Sequence, residues 1–274
     1  MRDSYAYAAE DLVRAGGGPE LAWEGAIVTT QFQPIYCVRR RTCLGFEALV
    51  QARDGAGNHI DSEEFFARAH AGGRPLLDWA CRALHLRSYA TVDPGDRSLF
   101  INVHPEAAVL DARRGRDFGE LIRYYGLTPK RVCIEILEQP CSDERLLREA
   151  VEGYRALGAS IAMDDFGVGN SNFDRVAALR PDVVKIDKSV LNGALGRDKA
   201  SRALPVMVEL LHELEVRVAV EGIETRAGAS AAIEARADYL QGFYFARPAA
   251  ALGHEAAGFE RLDHLLHPAT LAAA

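Results

Sequence analysis

Short apolar runs alternate with amphipathic stretches along nearly the whole chain. Runs rich in Val, Ile and other aliphatic residues are typical of buried strands, and the stretches between them have helical periodicity. No linker rich in Pro or Ser interrupts this alternation, so we predict one α/β domain over residues 23–274. We predict an N-terminal arm over residues 1–22, as a short helix or a frayed segment. The eight predicted strands are 27–34, 44–50, 98–103, 131–138, 161–165, 181–187, 216–221 and 239–245.

The fifth predicted strand ends in two adjacent carboxylates, Asp164 and Asp165, which precede Gly167 and Gly169. In an extended strand these side chains face opposite ways, but a turn permitted by the glycines brings them together. Two close carboxylates repel each other and favour a cation between them, and oxygen ligands suit magnesium, manganese or calcium. The alternative is an ordinary strand exit with a solvated Asp pair.

Polar side chains recur in or at the ends of seven of the predicted strands. They are Glu47, Asn102, Glu135, Asp164, Asp165, Lys185, Glu221 and Gln241. A lysine in a Val/Ile run is costly to bury, so Lys185 is either salt-bridged or catalytic. In a (β/α)8 barrel the carboxyl ends of the strands converge on one mouth. The recurrence therefore predicts a TIM-like barrel with a shared site, and the turn at Arg39–Arg41 predicts an irregular, antiparallel first hairpin.

Composition narrows the function classes. A net charge of −7 argues against nucleic-acid binding, which needs clustered Lys and Arg. No apolar run approaches the length that spans a bilayer, and the N-terminus lacks the pattern of a signal peptide. The five cysteines form no C-x-x-C pair, which favours reduced thiols over a zinc site or disulfides. We expect a soluble cytoplasmic protein that contacts neither DNA nor membrane.

The same residues resemble the EAL family of cyclic di-GMP phosphodiesterases over most of the chain, from about residue 31 to residue 248. Specific motifs carry the resemblance. They are Glu47-Ala48-Leu49, Asn102 in Ile-Asn-Val, Glu135 in Glu-Ile-Leu-Glu, Asp164-Asp165-Phe166-Gly167, Lys185-Ile186-Asp187, Glu221-Gly222-Ile223-Glu224-Thr225 and Gln241-Gly242-Phe243.

The resemblance implies hydrolysis of cyclic di-GMP to the linear dinucleotide by water activated between two Mg²⁺ or Mn²⁺ ions. By carry-over, the metal ligands are Glu47, Asn102, Glu135, Asp164, Asp165 and Glu221, and the catalytic set is Lys185, Glu47, Asp164 and Glu221. The substrate contacts implied in the same way are Gln33, Leu49, Gln51 and Gln241, and strand parity adds Arg53. Glu224 and Asp187 anchor the loop after Asp165. The resemblance also implies a homodimer and is compatible with a regulatory protein partner.

The chain departs from the family pattern near the implied site. Gln51 stands where the family has a phosphate-binding Arg, and Leu137 stands where Thr is usual. In the loop after Asp165, Val168 and Asn170 replace Thr and Tyr. Loss of a charged, fork-shaped donor weakens phosphate binding. Arg53 has the strand parity of Gln51, so we expect it to compensate.

Three functional readings follow from this set of residues. The first is an active phosphodiesterase, slow or gated by a partner. The second is a catalytically weak or inactive cyclic di-GMP receptor that acts through partner binding. The third is a regulator with a vestigial pocket. The retained ligand set favours the enzyme, whereas Gln51 and the altered loop favour the receptor.

Overall fold

The computed structural model describes residues 13–15, 18–69, 73–92, 95–114, 118–167, 173–196 and 202–267. Its strands are β1 Val13–Ala15, β2 Pro19–Trp23, β3 Ala26–Cys37, β4 Thr42–Arg53, β5 His59–Ile60, β6 Ser98–Val103, β7 Val132–Ile136, β8 Ser160–Phe166, β9 Val183–Ile186, β10 Arg217–Val220 and β11 Tyr239–Leu240. Its helices are α1 Ser62–Arg68, α2 Arg74–Thr91, α3 Pro105–Arg114, α4 Phe118–Tyr124, α5 Glu144–Leu157, α6 Phe173–Leu179, α7 Lys188–Ala194, α8 Ala203–Glu213, α9 Arg226–Glu234 and α10 Ala256–Leu266, with a 3-10 turn at Pro129–Arg131.

The strands form one sheet in the order β1-β2-β3-β11-β10-β9-β8-β7-β6-β4-β5, and β3 also pairs with β4. That additional pairing closes a ring of eight strands, so the predicted (β/α)8 barrel is confirmed. The pairs β6–β7, β8–β9, β9–β10 and β10–β11 are parallel, whereas β3 is antiparallel to β11. Only four residues join β3 to β4, too few for a parallel crossover. The predicted antiparallel first hairpin is therefore confirmed.

The strand sequences explain this architecture. All five residues of β7 and all four of β9 are buried, including the charged residue that each strand contains. Strands of a parallel sheet that is covered on both faces read as continuous apolar runs rather than alternating ones. A charged residue kept in such a run therefore needs a partner inside the barrel wall.

Two local predictions were wrong. The arm was expected to be a short helix or a frayed segment, but β1 lies within it, β2 begins within it and ends at Trp23, and the two strands pair antiparallel. The last predicted strand was expected to reach Phe245, but β11 contains two residues and a turn follows at Gly242. The boundary between arm and domain at residues 22 and 23 stays a prediction.

The chain forms two compact units. The first comprises Met1–Phe32 and Ala48–Ser160, and the second comprises Gln33–Glu47 and Ile161–Ala274. In the described part of the chain, no helix is both long and apolar enough to cross a bilayer.

The first unit contains a buried ion network between its helices. The Arg82 guanidinium lies 2.7 Å from Asp78 Oδ1 on its own helix and 2.7 Å from Asp111 Oδ2 on α3. Tyr154 on α5 donates to the same Asp111 oxygen at 3.2 Å. The Arg82 guanidinium also lies 4.8 Å from the centre of the Trp79 ring. Because both carboxylates contact the one guanidinium, the network fixes α2, α3 and α5 against one another without leaving a buried ion that has no partner.

Candidate active site

The parallel strands β8 to β11 of the second unit place their carboxyl ends at one edge of the sheet. Lys185 on β9 is opposite Ala219 on β10, and Ala219 is opposite Tyr239 on β11. The N–H of Glu221 donates to Ile186 O at 3.1 Å, which continues this register beyond the strands. Side chains near the ends of neighbouring parallel strands therefore lie side by side, as at the mouth of a barrel.

Lys185 forms the centre of a buried cluster of carboxylates. Its Nζ lies 3.0 Å from Glu47 Oε2, 2.9 Å from Asp164 Oδ1 and 3.0 Å from Glu221 Oε2. The lysine side chain is 1% exposed, and the carboxylates are between 7% and 16% exposed. Of the two alternatives for Lys185, the prediction that it is salt-bridged is therefore confirmed. One ammonium offsets only one of three carboxylate charges, so the cluster retains an excess of negative charge when it is ionised.

Two glutamines extend the cluster. Gln241 Nε2 donates to Glu47 Oε2 at 2.7 Å and to Gln33 Oε1 at 3.2 Å, and Gln33 Nε2 donates to Ala246 O at 3.3 Å. Gln241 is 2% exposed, and its Oε1 has no hydrogen-bond partner among the described residues. A buried amide oxygen in that position has an acceptor site to offer to a water molecule or a cation.

The two adjacent aspartates turn toward the same cluster. The pairing of β8 with β9 shifts register between Met163 and Phe166, and Asp165 adopts a left-handed φ of 55°. Such a bulge changes the direction of a side chain that regular alternation would send to the opposite face. Asp164, Asp165 and Glu221 consequently offer carboxylate oxygens that all lie within 4.8 Å of one another.

The protonation behaviour of these carboxyls reflects their crowding. Burial, followed by the charge of Asp164, raises the pKa of Asp165 to about 6. Burial is also the largest cause that raises the pKa of Asp164 and that of Glu221, although the Lys185 ammonium opposes it in both. Carboxyls that resist ionisation in a crowded site gain from a divalent cation between them. This donor set of hard oxygen ligands fits Mg²⁺, Mn²⁺ or Ca²⁺.

The remaining predicted ligands lie in the first unit. Asn102 on β6 is directly opposite Glu135 on β7 in the sheet register. Glu135 is fully buried, and Asn102 is partly buried. Their participation in the metal site stays a prediction.

The three predicted substrate contacts on β4 differ in solvent exposure. Leu49 and Gln51 are partly exposed, and Arg53 is exposed at the end of the strand. Gln51 Nε2 donates to the carbonyl of its neighbour Val50 at 3.1 Å, and Arg53 Nη1 donates to Gly57 O at 3.1 Å. The extended chain thus continues to Arg53, as its strand parity required. Its contact with substrate phosphate stays a prediction.

The loop after Asp165 lies largely outside the described residues, including Val168 and Asn170. Asp187 caps α7, because its Oδ1 accepts the N–H of Ser189 at 2.7 Å, and Glu224 is exposed. The anchoring roles of Asp187 and Glu224 therefore stay predictions. Leu137 stands where the family usually has Thr, and its backbone N–H donates to Val103 O at 3.3 Å.

The EAL domain family model matches residues 22–248 of the chain. The chain belongs to the EAL domain family. Among curated proteins, it is 29% identical over 221 residues to the probable cyclic di-GMP phosphodiesterase PdeD of Escherichia coli, covering 79% of this chain and 40% of that protein. It is 30% identical over 158 residues to the cyclic di-GMP phosphodiesterase RocR of Pseudomonas aeruginosa, covering 55% of this chain and 38% of RocR. This EAL chain therefore spans about two fifths of the length of either relative.

Solved structures agree with this membership. The Bacillus subtilis YkuI protein, in complex with its substrate cyclic di-GMP and calcium, superposes with a TM-score of 0.74 at 25% identity over 88% of this chain and 60% of that one. A standalone EAL protein from Vibrio cholerae, bound to cyclic di-GMP, superposes with a TM-score of 0.72 at 26% identity. That match covers 82% of this EAL chain and 93% of the Vibrio protein.

Proposed function

We propose that this EAL-domain protein hydrolyses cyclic di-GMP to the linear dinucleotide with the help of two divalent ions, Mg²⁺ or Mn²⁺. The observation that supports this most strongly is the group of three carboxylates, from Asp164, Asp165 and Glu221, whose oxygens lie within 4.8 Å of one another. The names of the relatives PdeD and RocR support the substrate and the reaction.

We assign the metal ligands as an extension of this group. Its three carboxylates present the hard oxygen donors that such ions prefer. The family resemblance adds Glu47, Asn102 and Glu135 to complete the set. When bound, two ions lower the pKa of a water and stabilise the leaving oxygen in an in-line displacement at phosphorus.

The chain's own residues contribute position and charge. The Lys185 ammonium holds Glu47, Asp164 and Glu221 in place, and we propose that it orients the attacking water and offsets charge that develops at phosphorus. The buried Gln241 Oε1 is suited to accept a hydrogen bond from that water.

We propose that the substrate lies against residues from both strands of the first hairpin and from the end of β11. This set comprises Gln33, Leu49, Gln51, Arg53 and Gln241. Among them, Arg53 supplies the cationic phosphate contact that Gln51 cannot make. A rise in KM on Arg53→Ala that exceeds the rise on Arg68→Ala, an exposed arginine on α1, would support this assignment.

A receptor with little turnover is the second candidate, and the Gln51 side chain favours it. Its amide donates to the carbonyl of its own neighbour, Val50, and it carries no charge for a phosphate. The receptor would keep affinity for cyclic di-GMP and transmit the bound state to a protein partner.

Hydrolysis by the purified protein separates the two candidates. We expect turnover of cyclic di-GMP with Mg²⁺ or Mn²⁺, none in EDTA and none in a folded Glu47→Ala variant. We also expect Ca²⁺ to inhibit, because its looser coordination fits poorly where Mg²⁺ geometry is required. Micromolar binding without turnover would select the receptor, and full activity in EDTA would exclude metal-dependent chemistry.

Three further proposals come from the sequence and the family resemblance. A cytoplasmic location is supported by the five cysteines, all of which are free thiols in the structure. A homodimer and a regulatory partner are implied by the family. An exposed apolar stripe along and just beyond α8, formed by Val206, Leu210 and Leu214, supports the dimer.

A further inference from the structure

One aromatic side chain stands exposed on the loop that leaves β11. Phe243 follows Gln241 by two residues, and it is 43% exposed. The Arg247 guanidinium lies 4.4 Å from the centre of the Phe243 ring, in contact with one of its faces. Because β11 runs parallel to β10, this loop begins at the edge of the sheet that carries Glu221.

The backbone holds this loop in one conformation. A Cβ at Gly242 would lie 2.1 Å from Ile223 O, so only glycine allows this approach. The N–H of Ile223 donates to Gln241 O at 3.1 Å, and the N–H of Tyr244 donates to Ile223 O at 2.9 Å. Phe243 lies between these two anchors, which hold its backbone in place.

Both ends of the loop are tied to the candidate active site. At one end, the Gln241 amide donates to Glu47 within the carboxylate cluster, and at the other, Ala246 O accepts from Gln33. The exposed ring therefore lies on the rim of the same site. The exposed part of the Phe243 ring is apolar surface left in water, so its placement beside a guanidinium is suited to a contact made on binding.

We propose that Phe243 and Arg247 form a stacking platform for one purine base of the substrate. This inference rests on the proposed function, because it assigns a base contact to the cyclic dinucleotide. The base stacks on the face of the Phe243 ring that is opposite Arg247. The planar guanidinium on the other face polarises the ring by a cation–π interaction. A purine offers a larger face than a pyrimidine, so the platform favours cyclic di-GMP over cyclic di-UMP.

Kinetics with both cyclic dinucleotides test the platform. For cyclic di-GMP we expect Phe243→Ala to raise KM about tenfold, with kcat within about twofold of wild type. Arg247→Met should raise KM about threefold. The preference for cyclic di-GMP over cyclic di-UMP should narrow in Phe243→Ala and be restored in Phe243→Trp. The matched control is Tyr124→Ala, which removes a 69% exposed aromatic from the first unit and should change neither constant.

A fluorescence measurement of base stacking tests the platform without requiring turnover. A cyclic dinucleotide carrying 2-aminopurine should lose fluorescence on binding to wild type in Ca²⁺ and keep it with Phe243→Ala at saturation. Equal quenching by both proteins, or an unchanged base preference in the variant, would overturn the platform. Absence of turnover in wild type with quenching intact would reject the hydrolase while supporting the platform.

Discussion

At the scale of single residues, Lys185 is the cation among the carboxylates Glu47, Asp164 and Glu221. The sequence indicated that a lysine in a Val/Ile run needs a partner, and this was confirmed. The identity of its partners could not be predicted, because Glu47 lies 138 residues away along the chain. Contacts of that separation depend on strand order, which the apolar pattern does not specify.

Removal of the Lys185 charge should destabilise the protein. Lys185→Met leaves three carboxylates crowded without their ammonium, and breaking a buried ion cluster in this way costs about 3 kcal/mol in the free energy of unfolding. Urea denaturation measures this cost. Lys188→Met, which alters an exposed lysine three residues later, is the matched control and should lose less than about 0.5 kcal/mol. Equal losses in the two variants would contradict the central role of Lys185.

The raised pKa of Asp165 predicts a pH dependence of stability. The folded state holds a proton on this carboxyl up to about pH 6, whereas the unfolded state releases it near 3.8. The folded state therefore binds more protons between these values, and its stability falls as pH rises through them.

We expect wild type in EDTA to lose more free energy of unfolding between pH 5 and pH 7.5 than Asp165→Asn does. After allowance for solvent screening, the difference should be about 1 kcal/mol. Asn tolerates the left-handed backbone at this position, so the variant is a fair comparison. Parallel pH profiles for the two proteins would show that Asp165 is not crowded by its neighbours.

At the scale of elements, apolar runs predicted the central strands well and the terminal ones poorly. The predicted strand at 98–103 has the bounds observed for β6, because it is apolar and ends two residues before Pro105. The pairing of β1 with β2 was missed, since an Ala-rich segment with several glycines has no strand periodicity. The early end of β11 was also missed, because the approach of Gly242 to Ile223 is a tertiary contact.

That approach predicts different costs for two glycine substitutions. Gly242→Ala places a methyl group against the Ile223 backbone and should cost about 3 kcal/mol in the free energy of unfolding. Gly253→Ala is the control, because Gly253 has a φ of 103° but no atom within 4 Å of the added Cβ, and it should cost about 1 kcal/mol. Thermal denaturation compares the two. A smaller loss at Gly242 than at Gly253 would contradict the close backbone contact.

At the scale of the whole molecule, the recurrence of polar residues at strand ends was enough to predict a barrel. The closing pairing of β3 with β4 and membership of the EAL domain family confirm that fold. Side-chain geometry could not be predicted to the same degree. The bulge that turns Asp165 and the hydrogen bonds of Gln241 depend on how neighbouring strands pack, which the sequence does not encode locally.

The proposed homodimer makes a prediction about size in solution. Val206, Leu210 and Leu214 recur every fourth residue along and just beyond α8, and each is at least 43% exposed. Apolar residues at that spacing form a stripe on one helix face. Light scattering should give the mass of a dimer for wild type and of a monomer for Leu210→Glu. Glu209→Lys, on the neighbouring exposed position, should remain dimeric, and a Leu210→Glu dimer would move the interface elsewhere.

In the proposed hydrolysis, the carboxylate cluster directs water to the phosphorus of a cyclic dinucleotide. The most direct measurement is a reaction with cyclic di-GMP and Mg²⁺ in water enriched in ¹⁸O, followed by mass spectrometry of the product. We predict a linear dinucleotide with one ¹⁸O atom in its terminal phosphate and no product from Glu47→Ala. An absence of product from wild type, or a product without the label, would contradict the account.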